Sequence, residues 1–261
     1  MQTARTLSNA GGNANRALHA LFHRWLDAAE PRLARFVHEQ ADPKPFTLSP
    51  LREDGDGRYH FRLTLLEEEY WGYVSEGMKR ERTVRVGDEI LALDGQLQAE
   101  QRAYAEIAAA QSTDTEIVLR FDSPTSFKSR EMLNPLPDAR SVFQSHLVRW
   151  NAFASEPLEP QEVFLDWVMN HVAVSKFDLR TEVLGFGRHL QIGCVGEAHY
   201  RVAERMDGDA ELVCWLNRLA DYAYFCGTGH KTTQGMGQTR RLLSANRRES
   251  ERMEKEKIGE D

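Results

Sequence analysis

His19 and His23 stand four residues apart, the spacing that puts two side chains on one face of a helix. His38 and Lys44 follow within the same third of the chain. An imidazole exchanges protons near neutral pH, and an ammonium steadies negative charge as it develops. Together they suit chemistry at a phosphodiester. A histidine pair at this spacing also suits a metal, but Ala20 stands where a metalloprotease helix carries its glutamate. At this level each of the two also fits an ordinary core or surface position. His60, His146, His171, His189 and His199 have no partner in the sequence and are read as structural or surface residues.

A second constellation lies at the other end. FCGTGHKTTQGMGQTR (225–240) holds four glycines, His230, Lys231 and Arg240, and no carboxylate. Glycines let backbone N–H groups come close to a polyanion. A Walker loop is excluded because His230, not glycine, precedes Lys231. A dinucleotide fingerprint fails because Thr232 replaces its third glycine and the loop follows a helical pattern. Composition alone leaves a phosphate site and a tight helix-to-strand turn both open.

The elements that must position these residues follow from periodicity. Leu18, Leu21, Phe22, Trp25 and Leu26 give residues 14–29 an amphipathic helical stripe. A short helix is expected over 31–38, and strands over 46–51, 58–66 and around Gly87. The alanine-rich run 99–111 reads as a helix and TEIVLRF (115–121) as a strand closing the first half, whose own first strand has one short polar candidate, Ala4–Ser8. Three prolines make 122–140 an irregular linker. The second half reads as helix 141–154, strands 172–184 and 189–202, helix 211–226, the glycine loop and a final strand. The domains expected are 1–122, a linker 123–140, 141–243, and a charged tail 244–261.

Bulk properties bound the class. The 261 residues are 41% hydrophobic and 28% charged, with a formal net charge of -7. That balance excludes a protein that coats nucleic acid with its whole surface, but not a local basic groove. No apolar run reaches the roughly 18 residues of a membrane span, and the first residues lack a secretory layout. The cytoplasm is the expected compartment. Cys194, Cys214 and Cys226 form no CxxC pair, so neither a structural zinc site nor a disulfide framework is expected.

Several segments in order resemble the CRISPR repeat-processing endoribonuclease family: LHALFHRWL (18–26), HEQADPKPFTLSPL (38–51), FDSPTSF (121–127), PLPDARSVFQSHLVRWN (135–151) and GTGHKTTQGMG (227–237). The resemblance implies an α+β fold of two tandem ferredoxin-like domains, similar to RNA-recognition motifs, with antiparallel sheets and helices on one face. It implies a metal-independent endoribonuclease without a cofactor, acting on CRISPR repeat RNA. Attack by a ribose 2′-OH would leave a 2′,3′-cyclic phosphate and a 5′-OH. One form of the family uses a helix tyrosine, a histidine and a lysine. His23 takes the tyrosine position here, His38 the histidine position and Lys44 the lysine position, with His19 in reserve. Gly227, Gly229, His230, Lys231, Thr232, Thr233, Gly235, Gly237 and Arg240 are the expected RNA-binding residues, their N–H groups turned to phosphate. A homodimer and other CRISPR effector or adaptation subunits are partners the resemblance admits. The competing reading is a non-catalytic repeat-RNA-binding module, or a processing domain of a larger CRISPR fusion.

Overall fold

The computed structural model describes residues 11–54, 56–129, 131–186, 189–203 and 208–242. The strand candidate Ala4–Ser8 and the tail 244–261 lie outside the described residues. Among the described residues no helix is long and apolar enough to cross a membrane.

The chain opens with α1 (Gly11–Ala29) and α2 (Pro31–Glu39). The apolar stripe read from the sequence is the buried face of α1: Leu18, Leu21, Phe22, Trp25 and Leu26 are each at most 2% exposed. Glu30 caps α2 by accepting a hydrogen bond from the Arg32 N–H at 3.1 Å, and Pro31 occupies the first helical position. Four short strands follow: β1 (Phe46–Leu48), β2 (Arg52–Glu53), β3 (Tyr59–His60) and β4 (Leu63–Leu65). β1 pairs antiparallel with β4, Phe46 opposite Leu65, and β2 pairs with β3. Helix α3 (Tyr70–Arg80) packs on α1, with Gly77 against the Trp25 backbone where a Cβ would sit 2.1 Å from the Trp25 oxygen. β5 (Thr83–Val86) and β6 (Glu89–Ala92) form a hairpin. The order α1–β1–β4–α3–β5 is that of a ferredoxin-like unit after its first strand. The expected 99–111 helix is confined to α4 (Tyr104–Ala108).

The second unit is complete. β7 (Glu116–Thr125) leads through a small hairpin, β8 (Phe127–Ser129) and β9 (Met132–Asn134), to α5 (Ala139–Phe153) and α6 (Gln161–His171). β10 (Val172–Phe186), β11 (His189–Val202), α7 (Ala210–Cys226) and β12 (Thr239–Leu242) complete it. The sheet order is β10–β11–β7–β12, antiparallel throughout. This is the strand order of a ferredoxin-like fold, and the protein is an α+β chain of two such units. A core of Phe143, Leu147, Trp150, Phe164, Tyr200, Leu216 and Tyr222 joins the sheet to its helices. Trp150 and Trp167 are core residues, and all three cysteines are free and buried.

Two expectations need correcting. The strand at 115–121 does not close the first half; it is the inner strand of the second sheet, between β11 and β12. Ile117, Val118, Leu119 and Phe121 are all buried, which is the two-sided burial of an inner strand and carries no information about which half supplies its neighbours. Nor is 122–140 wholly irregular. β7 continues to Thr125, the β8–β9 hairpin follows, and the Asp138 side chain caps α5 by accepting from the Ser141 N–H at 2.9 Å.

Candidate active site

α1 and α2 bring three imidazoles into a row. The ring centres of His19 and His23 are 4.8 Å apart, and those of His23 and His38 are 5.2 Å apart. Phe46 of β1 backs the row at 5.8 Å from His19 and 5.9 Å from His23, and itself stacks on Phe22 at 3.8 Å. His38 is exposed in the last turn of α2, while His19 and His23 are half-buried. Burial, then the charges of His19, His38 and Lys44, hold His23 down at about 4. Burial lowers His19 also, against an opposing hydrogen bond to the Thr233 carbonyl. His23 is therefore neutral at physiological pH. Its Nδ1 is buried with no hydrogen-bond partner.

Lys44 sits at the C-terminal end of α2. Its Nζ donates to the carbonyls of Val37 at 2.7 Å and His38 at 2.8 Å, and to that of Gln40. An ammonium has three donors, and here all three close the C-terminal end of α2, where carbonyls lack helical partners and the dipole favours a cation. Burial lowers its pKa. The sequence suggested a charge aimed at substrate; the structure gives Lys44 the position of a clamp that fixes His38.

The opposite wall is the glycine loop between α7 and β12. Gly227, Gly229, Gly235 and Gly237 all have positive φ, between 65° and 87°, and Lys231 is the non-glycine residue there with φ of 55°. A Cβ at Gly229 would lie 2.3 Å from the Ser126 carbonyl oxygen, and one at Gly237 2.1 Å from that of Thr228. These glycines are required by close backbone packing. Several N–H groups expected to face phosphate are spent inside. Thr228 donates to the Gly237 carbonyl at 2.8 Å, Gly229 to Ser145 Oγ at 2.7 Å, His230 to the Ser126 carbonyl at 2.8 Å and Gly237 to the Pro124 carbonyl at 3.0 Å. What the loop presents outward is side chains. His230, Lys231 and Thr233 are half-buried, while Thr232 is buried. The Lys231 Nζ lies 4.3 Å above the Phe186 ring. Burial and then Arg16 lower the Lys231 pKa; burial and then Lys231 lower that of His230. Arg240 is exposed and paired with Asp122 at 2.9 Å.

Sequence reasoning missed the residues that shape this loop. Arg149 donates to the Gly229 carbonyl at 2.8 Å and to Thr232 Oγ1 at 3.4 Å. His146 is fully buried and lies 2.7 Å from Thr228 Oγ1. Arg149 and His146 stand three apart on α5 beside buried Leu147 and Trp150, so the only available signal was polar residues interrupting a core-facing stretch. The two walls meet directly. The His19 ring Nδ1 lies 3.0 Å from the Thr233 carbonyl oxygen, across 214 residues of sequence, and the 3₁₀ turn Thr232–Gln234 packs on both α1 and β1.

Known proteins fit this arrangement. The family model described as CRISPR-associated endoribonuclease Cas6 matches residues 119–239, and that of the CRISPR Cas6 N-terminal domain matches residues 8–90. The structure of a Thermus thermophilus Cas6 is 31% identical, with a TM-score of 0.67, covering 88% of this chain and 91% of that one. The chain belongs to the Cas6 family. A product complex of the same Thermus Cas6 superimposes with a TM-score of 0.79 at 28% identity, over 88% of this chain and 93% of that one. A curated Cas6 endoribonuclease of Streptococcus thermophilus is 26% identical over 132 residues, a match spanning 51% of this chain and 53% of that protein. The two Cas6 matches fall on the two units, that of the N-terminal domain on the histidine wall and the other on the glycine loop.

Proposed function

We propose that this Cas6-family protein cleaves precursor CRISPR RNA within its repeats. The observation that carries the reading is the contact between the walls: the imidazole row and the glycine loop touch where the His19 ring meets the Thr233 carbonyl. The solved relatives that hold RNA product support the same substrate class.

In the proposed reaction the ribose 2′-oxygen forms a bond to the adjacent phosphorus as the bond from phosphorus to the 5′-oxygen breaks. One proton leaves the 2′-OH and one is delivered to the departing 5′-oxygen. Exposed His38 carries the main acid–base work. His23, neutral because it is buried among positive neighbours, orients the ribose hydroxyl or takes the complementary proton. Lys44 holds the turn that aims His38 and lends the site positive charge. The nucleophile belongs to the RNA, so the chemistry needs no metal. Lys231, His230 and Arg240 hold the backbone as positioning contacts.

The chain is read as an N-terminal unit bearing the histidines and a C-terminal unit bearing the loop, divided near the start of β7. The reading also sets the work in the cytoplasm, with product passing to other CRISPR effector or adaptation subunits. Mapping the ends of cleaved repeat RNA tests it. Cleavage persists in excess chelator and leaves a 2′,3′-cyclic phosphate. One 2′-deoxy nucleotide at the cut abolishes cleavage while binding persists. Cleavage of that deoxy substrate refutes the mechanism.

A further inference from the structure

Arg149 stands one turn after Ser145 on α5, and the two side chains hold one glycine of the loop. Arg149 Nη1 donates to the Ser145 carbonyl and to Ser145 Oγ, each at 2.8 Å. Its Nη2 donates to the Gly229 carbonyl at 2.8 Å and to Thr232 Oγ1 at 3.4 Å. Ser145 Oγ in turn accepts from the Gly229 N–H at 2.7 Å. Both polar groups of Gly229 are thus engaged from one helix. The hydrogen bonds of Arg149 all go to carbonyl or hydroxyl oxygens, and among the described residues no carboxylate pairs with it. A guanidinium is planar and presents its donors in a rigid fork, so it fixes the direction of what it holds. At the other end of this short stretch, four residues on, the Thr233 carbonyl lies 3.0 Å from His19 Nδ1. Between the two ends the backbone has little slack. Lys231 is left-handed, the Gln234 N–H donates to the Lys231 carbonyl at 2.9 Å, and the turn Thr232–Gln234 packs on α1 and β1.

We propose that Arg149, seated on Ser145, is a positioning residue for the cleavage reaction: by fixing Gly229 and Thr232 it aims the Thr233 carbonyl that sets the hydrogen of His19 on Nδ1. A carbonyl only accepts, so the hydrogen of that bond sits on Nδ1, and the lone pair of the neutral ring sits on Nε2. Burial favours the neutral form. His19 Nε2 makes no hydrogen bond among the described residues and is not sealed from solvent. The inference rests on the nuclease reading above. There the proton that leaves the ribose 2′-OH goes to a bare imidazole nitrogen as the oxygen bonds to phosphorus, and His38 gives its proton to the departing 5′-oxygen. The Arg149 arrangement keeps His19 Nε2 bare for the first of these transfers, with its ring 4.8 Å from that of His23, and leaves His23 to orient the ribose. Without the carbonyl in reach nothing holds the hydrogen on Nδ1, and an Nε2–H only donates.

The test uses the full chain carrying isotope-labelled histidine. Long-range proton–nitrogen NMR tells a bare imidazole nitrogen from a protonated one, and His19→Gln assigns the signal. In the wild type His19 carries its hydrogen on Nδ1. Arg149→Met and Ser145→Ala move it toward Nε2 and slow single-turnover cleavage about 10²-fold, while RNA affinity holds. Arg149→Lys keeps the charge without the fork and behaves like Arg149→Met. Ser145→Thr keeps the hydroxyl and behaves like the wild type. If Arg149→Met does not fold, the two Ser145 variants carry the comparison. A wild type with its hydrogen on Nε2 overturns the proposal. So does an unmoved tautomer in Arg149→Met and Ser145→Ala, or a tautomer that moves without slowing cleavage. A wild type that cuts no repeat RNA refutes the nuclease reading instead; the tautomer then decides the link from Arg149 to His19 by itself, a shift upholding it and no shift overturning it.

Discussion

The two walls of the candidate site are built on opposite terms. The histidine wall keeps valence in reserve: His38 is exposed and His23 Nδ1 has no partner. The glycine wall spends several of its backbone donors internally, on Ser145, Ser126, Pro124 and, within the loop, Gly237. One wall leaves imidazole nitrogens unengaged, as the proposed proton transfers require, and the other is tied into a fixed shape. A glycine-rich, basic loop therefore need not bind phosphate through its backbone; here the glycines serve packing, and the proposed RNA contacts fall to the side chains.

The strongest way to break this contrast is to remove the reactive group. His38→Ala lowers the single-turnover cleavage rate about 10²–10⁴-fold while RNA affinity stays near wild type; an unchanged rate removes His38 from the chemistry. On the other wall, Gly229→Ala brings a Cβ to within 2.3 Å of the Ser126 carbonyl at φ of 78°. It costs about 1–3 kcal/mol for the left-handed backbone alone, read as a lower midpoint in urea. A variant of wild-type stability means the loop is not held as tightly as its hydrogen bonds indicate.

Acid sharpens the comparison further. His23 is held at about 4 against an ordinary 6.5. The unfolded chain therefore takes up this proton first as the pH falls. The stability linked to His23 is full above 6.5 and is lost progressively between 6.5 and about 4. His23→Asn loses less melting temperature than the wild type between those limits, and equal losses refute the assignment. The smallest effect is Lys231→Asn, which keeps a side chain tolerant of the left-handed backbone. RNA affinity falls modestly and the salt slope of binding drops by about one. An unaltered slope means Lys231 touches no phosphate.

How much of this was legible depended on whether the signal was local. The stripe of α1 and the strands β10 and β11 follow from periodicity, and the pair His19–His23 follows once α1 is known to be a helix, whereas His38 joins the row through the packing of α2 on α1. β7 could be seen as a strand but not assigned, because Ile117–Phe121 reads the same beside either set of neighbours. Lys44 looked like a free charge because its partners are carbonyls, which leave no mark in the sequence. Arg149 and His146 were hidden for a related reason: their partners lie 80 residues or more on, in a glycine loop whose path the sequence does not reveal.

The bond between His19 and Thr233 has a consequence for the chain as it is made. The ribosome releases the histidines 214 residues ahead of the surface that faces them, an interval of about 10–40 s at ordinary elongation rates. Throughout that time the nascent polypeptide carries the histidines without the wall they pack against. Translation that stalls before Thr233 thus yields a fragment without the loop that faces the histidines.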